Sequence, residues 1–200
     1  MVIEFNFSND YVLEDERVQL RPLEQEDYEL LLPFALQEPE LWTYSMVSPA
    51  GAAGMQSYIM QALNARNEKK EYPFIVYDKA AGQYAGCTRF YDIQLQYRTL
   101  QLGYTWYGKA FQRSGLNRHC KYLLLSFAFE DIGMERVEFR ADNNNTRSIN
   151  AMKAIGCTVE GVLRSHLPIY NGSRRDSIVL SILKDEWFGK VKSELQSKML

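Results

Sequence analysis

A short polar loop directly in front of a strongly periodic apolar segment constrains the fold of this chain more than any other feature. Residues 111–130 read FQRSGLNRHCKYLLLSFAFE. The apolar residues recur at the spacing of one buried helical stripe that ends near Gly133. The residues ahead of the loop, LGYTWY, are typical of a β-strand. A strand, a loop with one glycine and a helix start are therefore predicted in succession. The predicted stripe consists of Leu116, Cys120, Leu123, Leu124, Phe127 and Ala128.

This loop has the features of an anion-binding site. A helix start leaves backbone N–H groups unpaired, and the helix dipole favours negative charge at the same place. Gly115 permits close approach of a ligand to the backbone, and Arg113, Asn117 and Arg118 add side-chain donors. Alternatively, Ser114 caps the helix and Gly115 makes the turn. The segment is neither a Walker A loop nor a dinucleotide-binding fingerprint.

The remaining patterns predict an α+β fold, in which a mixed, mostly antiparallel sheet of about seven strands carries helices on both faces. Alternating segments predict strands at 17–23, 71–79, 83–93, 98–108, 135–141, 157–167 and 174–183. Amphipathic segments predict helices at 24–36, 50–66, 116–133, 143–156 and 184–200, the last with Trp187, Val191 and Leu195 on one stripe. Asn171 and Gly172 form a turn signal between the last two strands.

Composition excludes several classes of protein. The 200 residues contain no linker or repeat, which predicts one domain over 1–200. A net charge of −2 without a basic patch argues against nucleic acid as a partner. The cysteines Cys87, Cys120 and Cys157 form an odd set without a C-x-x-C pair, which argues against a disulfide framework and a zinc site and favours the reducing cytoplasm. No signal peptide and no bilayer-spanning apolar run are present, so no membrane association is expected.

Several segments in a fixed order carry a family resemblance. Residues 112–117 match the pattern Q/R-x-x-G-x-G/A except at the last position, where Asn117 stands for Gly or Ala. KYLLLSFAFEDIGMERVEFRAD, NTRS, KAIGCTVEGVLR and NGSRRDSIVLSILKDEW follow. In this order they resemble the GCN5-related N-acetyltransferases, and more narrowly the RimJ/RimL-like branch, over a core of about 17–187.

The resemblance implies a single N-acetyltransferase domain that uses acetyl-CoA as cosubstrate. It implies direct transfer of the acetyl group to a primary amine acceptor, either a protein N-terminus or a small molecule, without a metal. Members of this branch often dimerise, so a homodimer is one expected assembly. Two rival functions stay open, namely an acyl-CoA-binding sensor without catalysis and an interaction scaffold that does not bind CoA.

The resemblance also assigns cofactor-binding positions. The pantetheine arm would pair with the backbone of the strand that ends in TWY, and the pyrophosphate would lie on the N–H groups of the loop. The implied residues are Thr105, Trp106, Tyr107, Gln112, Arg113, Ser114, Gly115, Leu116, Asn117 and Asn145. Asn117 either crowds the pyrophosphate or donates to it. Asn145 is equally typical of a helix N-cap, and both roles can coexist.

Two residues are implied in catalysis. Many family members have a tyrosine as general acid where this chain has Met152, which cannot donate a proton. In the RimL-like branch a serine, here Ser148, stabilises the thiolate and a glutamate, here Glu160, serves as base. The alternative for Glu160 is a surface residue that pairs with Arg164.

Residues around the expected acceptor site complete the predictions. His119 is expected at the surface rather than as a base, and His166 is a weaker candidate for polarising the amine or lining the pocket. An acidic, aromatic lip after the first helix would suit a cationic amine. Its members are Glu38, Glu40, Trp42 and Tyr44, and Tyr170, Arg174, Arg175 and Asp176 could also reach the substrate.

Overall fold

In the computed structural model of this chain, which describes residues 3–169 and 172–199, one eight-stranded sheet organises the molecule. The strand order is β1-β2-β3-β4-β5-β6-β8-β7. The strands are β1 (Leu13–Glu14), β2 (Val18–Pro22), β3 (Tyr72–Asp78), β4 (Gln83–Gln94), β5 (Thr99–Tyr107), β6 (Arg136–Asp142), β7 (Thr158–Pro168) and β8 (Arg174–Leu183).

Helices lie on both faces of this sheet. They are α1 (Tyr28–Gln37), α2 (Gly51–Asn67), α3 (Leu116–Ser126), α4 (Thr146–Ala154), α5 (Lys184–Glu186) and α6 (Lys192–Ser197). A π-helical turn, Phe127–Asp131, continues α3, and a second one, Trp187–Val191, joins α5 to α6. Within the described residues, none of the helices has the length and apolar character required to cross a bilayer.

The sheet opens in its middle, and this opening positions the candidate site. All neighbouring strands pair antiparallel except β5 and β6, which are parallel and pair only over Thr99–Gln101 and Arg136–Glu138. A bulge in β5 around Tyr104, whose φ is 49°, shifts its register against β4. From Leu102 to Tyr107, β5 therefore has no strand partner on the β6 side. A wedge-shaped gap separates the two strands.

Two apolar clusters hold the sheet between its helices. On one face, α1 and α2 pack over β3 to β5, with Met55, Ile59 and Trp106 in that cluster. On the other face, α3, α4 and the C-terminal helix pack in the larger cluster, where Leu124 and Trp187 are completely buried. Burial of such side chains removes apolar surface from water and is the main stabilising contribution.

The structure confirms the predicted fold class. It adds the two-residue strand β1, which is too short to give an alternating pattern. The helix predicted at 24–36 is split, because a capped 3₁₀ turn, Gln25–Asp27, precedes α1. On the predicted α3 stripe Leu123 is only half-buried, and Trp187, Val191 and Leu195 are buried as predicted. Of the predicted Asn171–Gly172 turn, Asn171 lies outside the described residues, as does Leu200 at the end of the last helix.

Candidate active site

A cavity of about 740 Å³ opens at the gap between β5 and β6. It brings together most of the residues that the sequence assigned to cofactor binding or catalysis. Those that line it are Thr105, Trp106, Tyr107, Gln112, Arg113, Gly115, Asn117, Asn145 and Ser148. Ser114, Leu116 and Glu160 are not part of its lining.

The loop before α3 presents free backbone donors to this cavity. Arg113 and Gly115 both have positive φ, at 62° and 88°, and this left-handed geometry turns the chain sharply into the helix. Within the part of the chain that the structure describes, the N–H groups of Arg113, Ser114, Gly115 and Asn117 have no hydrogen-bond partner. Unpaired N–H groups at a helix start favour an anion.

Ser114 and Leu116 support this loop from behind. The Ser114 hydroxyl donates to the Phe111 carbonyl at 2.7 Å and accepts weakly from the Leu116 N–H at 3.4 Å. Leu116 is completely buried in the large apolar cluster and fixes the first turn of α3. The turn considered for Gly115 therefore coexists with a cavity-facing backbone, whereas the cap considered for Ser114 is wrong, because Gly115 is the N-cap residue of α3 and no side chain caps it.

Gln112 ties the loop to the elements on both sides of the cavity. Its amide nitrogen donates to the Tyr107 carbonyl at 2.9 Å, and its amide oxygen accepts from Arg147 at 2.7 Å. The Tyr107 hydroxyl donates to the Asn117 side-chain oxygen at 3.3 Å. This contact leaves the Asn117 amide nitrogen available as a donor at the cavity wall.

The aromatic residues at the end of β5 pack in the core and also line the cavity. Trp106 is buried among Phe34, Trp42 and Tyr58 and donates from its indole nitrogen to the Tyr58 hydroxyl at 3.3 Å. Its backbone lies on the stretch of β5 that lacks a partner on the β6 side. The Trp106 side chain is therefore part of the core. The backbone edge of β5 at this residue remains available to a ligand.

Asn145, Ser148 and Met152 place α4 along the same cavity. The Asn145 side-chain oxygen accepts from the Ser148 N–H at 3.1 Å, so Asn145 is the N-cap of α4. The Ser148 hydroxyl makes no hydrogen bond to the described residues, and Ser148 is half-buried. Met152 also lines the cavity, and no proton donor is available at that position.

The geometry does not support the base role predicted for Glu160. Its carboxylate accepts from Arg136 and from the Ser181 hydroxyl, each at 2.5 Å. These hydrogen bonds hold the pKa of Glu160 below its ordinary value. The alternative of a paired surface residue fits the structure, except that the partner is Arg136 rather than Arg164. Local alternation along β7 could not reveal a partner on β6, two strands away in the sheet.

The surface location expected for His119 is wrong. His119 is buried, and its Nδ1 lies 2.7 Å from the Asp15 carboxylate and 3.9 Å from that of Glu16. These three side chains could supply three ligand atoms to a metal ion, and in the described ranges no other such group occurs. They lie outside the cavity lining. His166 is also outside the lining and bonds to the Ser177 hydroxyl at 3.0 Å.

The predicted acidic lip has another function in the structure. The Glu38 carboxylate accepts from the Lys109 N–H at 2.8 Å, and Glu40 forms an ion pair with the Lys109 ammonium. Both carboxylates therefore anchor the segment that follows β5, and neither lines the cavity. The aromatic members Trp42 and Tyr44 do line it.

Of the other residues predicted to contact the acceptor, one lines the cavity and two are engaged elsewhere. Arg175 lines the cavity. Arg174 instead donates to the carbonyls of Ser165 and His166. Asp176 accepts from the Ser165 N–H, and Tyr170 lies outside the described residues.

The cavity wall carries an excess of positive charge, which fits the polyphosphate of CoA. Its cationic residues are Lys109, Arg113, Arg118, Lys121, Arg140, Arg147 and Arg175. The carboxylate among the described lining residues is that of Asp142. Guanidinium and ammonium groups bind phosphate through charge-assisted hydrogen bonds. The free loop N–H groups and this charge together form a suitable site for the phosphates of CoA.

Sequence reasoning missed Lys121, Arg140 and Asp142. Lys121 lies four residues after Asn117 and therefore projects from the same face of α3. This spacing was the available signal. Arg140 and Asp142 alternate along β6 on one face of the sheet. Their approach to the cavity depends on the separation of β6 from β5, which no local pattern encodes.

Comparison with known proteins agrees with this geometry. Residues 17–158 match the family model described as "Acetyltransferase (GNAT) domain". The chain is 26% identical over 186 residues to the "Putative ribosomal N-acetyltransferase YdaF" of Bacillus subtilis (strain 168), covering 88% of this chain and 96% of that protein. The crystal structure of a "putative acetyltransferase" of T. thermophilus has 30% identity and a TM-score of 0.85, covering 94% and 97% of the two chains.

Mycobacterium smegmatis RimJ, solved in complex with CoA-disulfide, shares the fold with a TM-score of 0.78 at 18% identity, covering 94% of this chain and 93% of that one. The family match covers most of the chain. The loop before α3, with its unpaired backbone N–H groups, lies at the gap between β5 and β6. This chain therefore belongs to the GNAT acetyltransferase family and is an acetyltransferase, an enzyme of a family that uses acetyl-CoA as cosubstrate.

Proposed function

We propose that this chain transfers the acetyl group of acetyl-CoA directly to a primary amine of a protein N-terminus or a small molecule. The observation that carries this proposal is the loop at residues 113–117, whose free N–H groups face a gap in the sheet. A ligand anchored there by its phosphates can extend along the unpaired edge of β5 towards the opposite face. The proposal treats residues 1–200 as one catalytic domain and requires no metal, nucleic acid or membrane.

The donor would be held by backbone groups more than by side chains. The N–H groups of the loop would receive the pyrophosphate, and Arg113, Arg118 and Arg147 would add charge around it. The open backbone edge at Thr105 to Tyr107 would pair with the amides of the pantetheine arm, as an added strand does. Asn145, fixed as the cap of α4, would line the arm from the other side.

The reaction would be attack of a neutral amine on the thioester carbonyl. Holding both reactants in one cavity supplies much of the rate, because it converts a bimolecular step into an intramolecular one. The Ser148 hydroxyl, which makes no hydrogen bond to the described residues, can donate a hydrogen bond to the departing thiolate. Glu160 has no part in this proposal, since its carboxylate is already committed to Arg136 and Ser181.

The acceptor class rests on the relatives. YdaF is named as a ribosomal N-acetyltransferase, so a protein N-terminus is one acceptor to test here. A panel of peptides with N-terminal Ala or Ser, free amino acids and polyamines spans the candidate classes.

The test is CoA release across this panel, together with calorimetric titration of acetyl-CoA. The proposal expects tight binding of acetyl-CoA and turnover with at least one amine, with the N-acetyl product confirmed by mass spectrometry. Met152 in the cavity wall favours the acyl-CoA sensor as the second candidate, because it removes a proton donor from the site. Binding without turnover across the panel would select the sensor, and absence of CoA binding would contradict both functions.

A further inference from the structure

Lys121 is a lysine on α3 whose side chain ends inside the gap between β5 and β6. The residue is only 5% exposed, yet it contributes to the cavity lining. Its ammonium donates to the Thr105 hydroxyl at 2.8 Å and lies 5.9 Å from the centre of the Phe139 ring. Thr105 lies beyond Gln101 on β5 and Phe139 lies beyond Glu138 on β6, and these are the last two residues that pair between the strands. The amine therefore occupies the floor of the gap.

No carboxylate compensates the charge of this lysine. Among residues 3–169 and 172–199, none forms an ion pair with it. The titratable groups that act on it are the thiols of Cys120, on its own helix, and Cys157, after α4. Burial raises the pKa of each thiol to about 12, so both are neutral at physiological pH. The remaining neighbours, Thr105 on β5 and Phe139 on β6, carry no charge.

Burial without a counter-ion changes the acidity of the amine. The pKa of Lys121 falls from 10.5 to about 8, with burial as the largest cause. An ordinary thiol has a pKa of about 8.5. Proton transfer between two groups is efficient when their pKa values are close and lie near the working pH. Lys121 therefore matches a thiolate leaving group, whereas the Cys120 and Cys157 thiols do not.

The position of Lys121 also suits that task. It follows Leu116, the first residue of α3, by five residues, which is about 7.5 Å along the helix axis. A thioester anchored by its phosphates at the loop must pass through the gap to reach the opposite face of the sheet. Lys121 and Met152 both line the cavity through which it would pass, and Met152 offers no proton.

We propose that Lys121 is a catalytic residue that protonates the CoA sulfur as the thioester bond breaks. The inference rests on the proposed acetyl transfer and assigns a proton donor to it. The acceptor amine forms the C–N bond, and the C–S electron pair leaves with sulfur. The sulfur takes one proton from the Lys121 ammonium, which gives the free thiol of CoA. The nitrogen of the new amide returns one proton to Lys121, directly or through a water, so the lysine ends as it began.

The first test uses Lys121→Met, which keeps the apolar stem and removes the proton. We expect kcat to fall about 100-fold, with little change in the KM for acetyl-CoA. The wild-type kcat should decline as the pH rises above about 8, and Lys121→Met should lose this decline. Lys121→Arg keeps a positive charge but holds its proton too tightly to donate it, so it should not restore kcat. Lys190→Met, at an exposed position on the π-helical turn before α6, is the matched control.

Two kinetic results would overturn the assignment. They are wild-type kcat in Lys121→Met, and recovery of kcat in Lys121→Arg. Thermal unfolding of each variant checks that it is folded, and Lys121→Gln serves as a second variant should Lys121→Met not fold.

A second measurement needs no acceptor and so separates this inference from the proposed function. The ultraviolet absorbance of the thiolate reports the pKa of the CoA thiol in the binary complex. The Lys121 ammonium should hold that pKa lower in the wild type than in Lys121→Met, and equal values would contradict the proposal. If no amine supports turnover, the proposed function fails, but this comparison still decides whether Lys121 contacts the sulfur.

Discussion

A buried lysine without a counter-ion should destabilise the folded state, and replacement of Lys121 by methionine should therefore raise stability. The pKa of this amine is 10.5 in the unfolded chain and about 8 in the folded one. The difference corresponds to about 3 kcal/mol of unfolding free energy at neutral pH. For a chain of this size that energy raises the melting temperature by roughly 6 to 12 °C.

The pH dependence identifies the cause. Below about pH 8 the lysine is protonated in both states, so the full penalty is present. As the pH rises from about 8 to 10.5, the folded state loses its proton first. The unfolded state then binds more protons, so wild-type stability increases relative to the variant. The difference in unfolding free energy between Lys121→Met and the wild type should therefore be largest at neutral pH and should decrease above pH 9.

Urea unfolding followed by circular dichroism, at pH values from 6 to 10, measures this difference. Lys190→Met controls for the loss of a lysine at an exposed position, and its stability should stay close to that of the wild type throughout. The reasoning is refuted if Lys121→Met is no more stable than the wild type at pH 7. It is also refuted if the advantage does not change with pH. A gain in stability with a loss of turnover would show that the enzyme retains Lys121 for function.

Three further predictions concern the loop, the cap and the excluded base. Gly115→Ala and Gly82→Ala both place a Cβ at positive φ without a clash, in open space at Gly115 and 3.9 Å from the Tyr77 hydroxyl at Gly82, and should each cost about 1 kcal/mol. Only Gly115→Ala should weaken CoA binding in calorimetry, and equal affinities would contradict the phosphate site. Asn145→Ala should destabilise the protein by about 1 kcal/mol in urea unfolding through loss of the α4 cap. Glu160→Gln should keep wild-type kcat, because its carboxylate faces Arg136, and a large loss would restore Glu160 as base.

The sequence predicted the elements of the fold because their patterns are local. The alternation in β2 and the stripe that includes Leu116 and Leu124 each lie within one element, and burial follows them. The two-residue strand β1, which pairs with β2, was not predicted because it is too short to show an alternation of apolar and polar residues. The split before α1 depends on Asp27, whose carboxylate accepts from the Glu24 N–H and from Arg21. That network includes a distant tyrosine, Tyr84, and is not visible in local spacing.

The candidate site was predictable where it lies on consecutive residues. The loop around Gly115 and the cap at Asn145 depend on local chain geometry, and the structure places both at the cavity. Residues whose surroundings come from distant parts of the chain were misjudged. His119 is buried because Asp15, more than 100 residues earlier, packs against α3. Glu160 is paired because β6 lies two strands away in the sheet, and the charge of Lys121 matters only because β5 and β6 diverge above it.

The parting of β5 from β6 leaves an unsatisfied backbone edge in the interior of the sheet rather than at its border. The two halves of the sheet are joined across this parting by only the short pairing of Thr99–Gln101 with Arg136–Glu138. A bound donor that supplies the missing strand would add to the stability of the folded chain by mass action. In each catalytic cycle the stability of the folded chain would then rise when the donor binds and fall when CoA leaves. The supply of the donor would set the resistance of this enzyme to proteolysis as well as its rate.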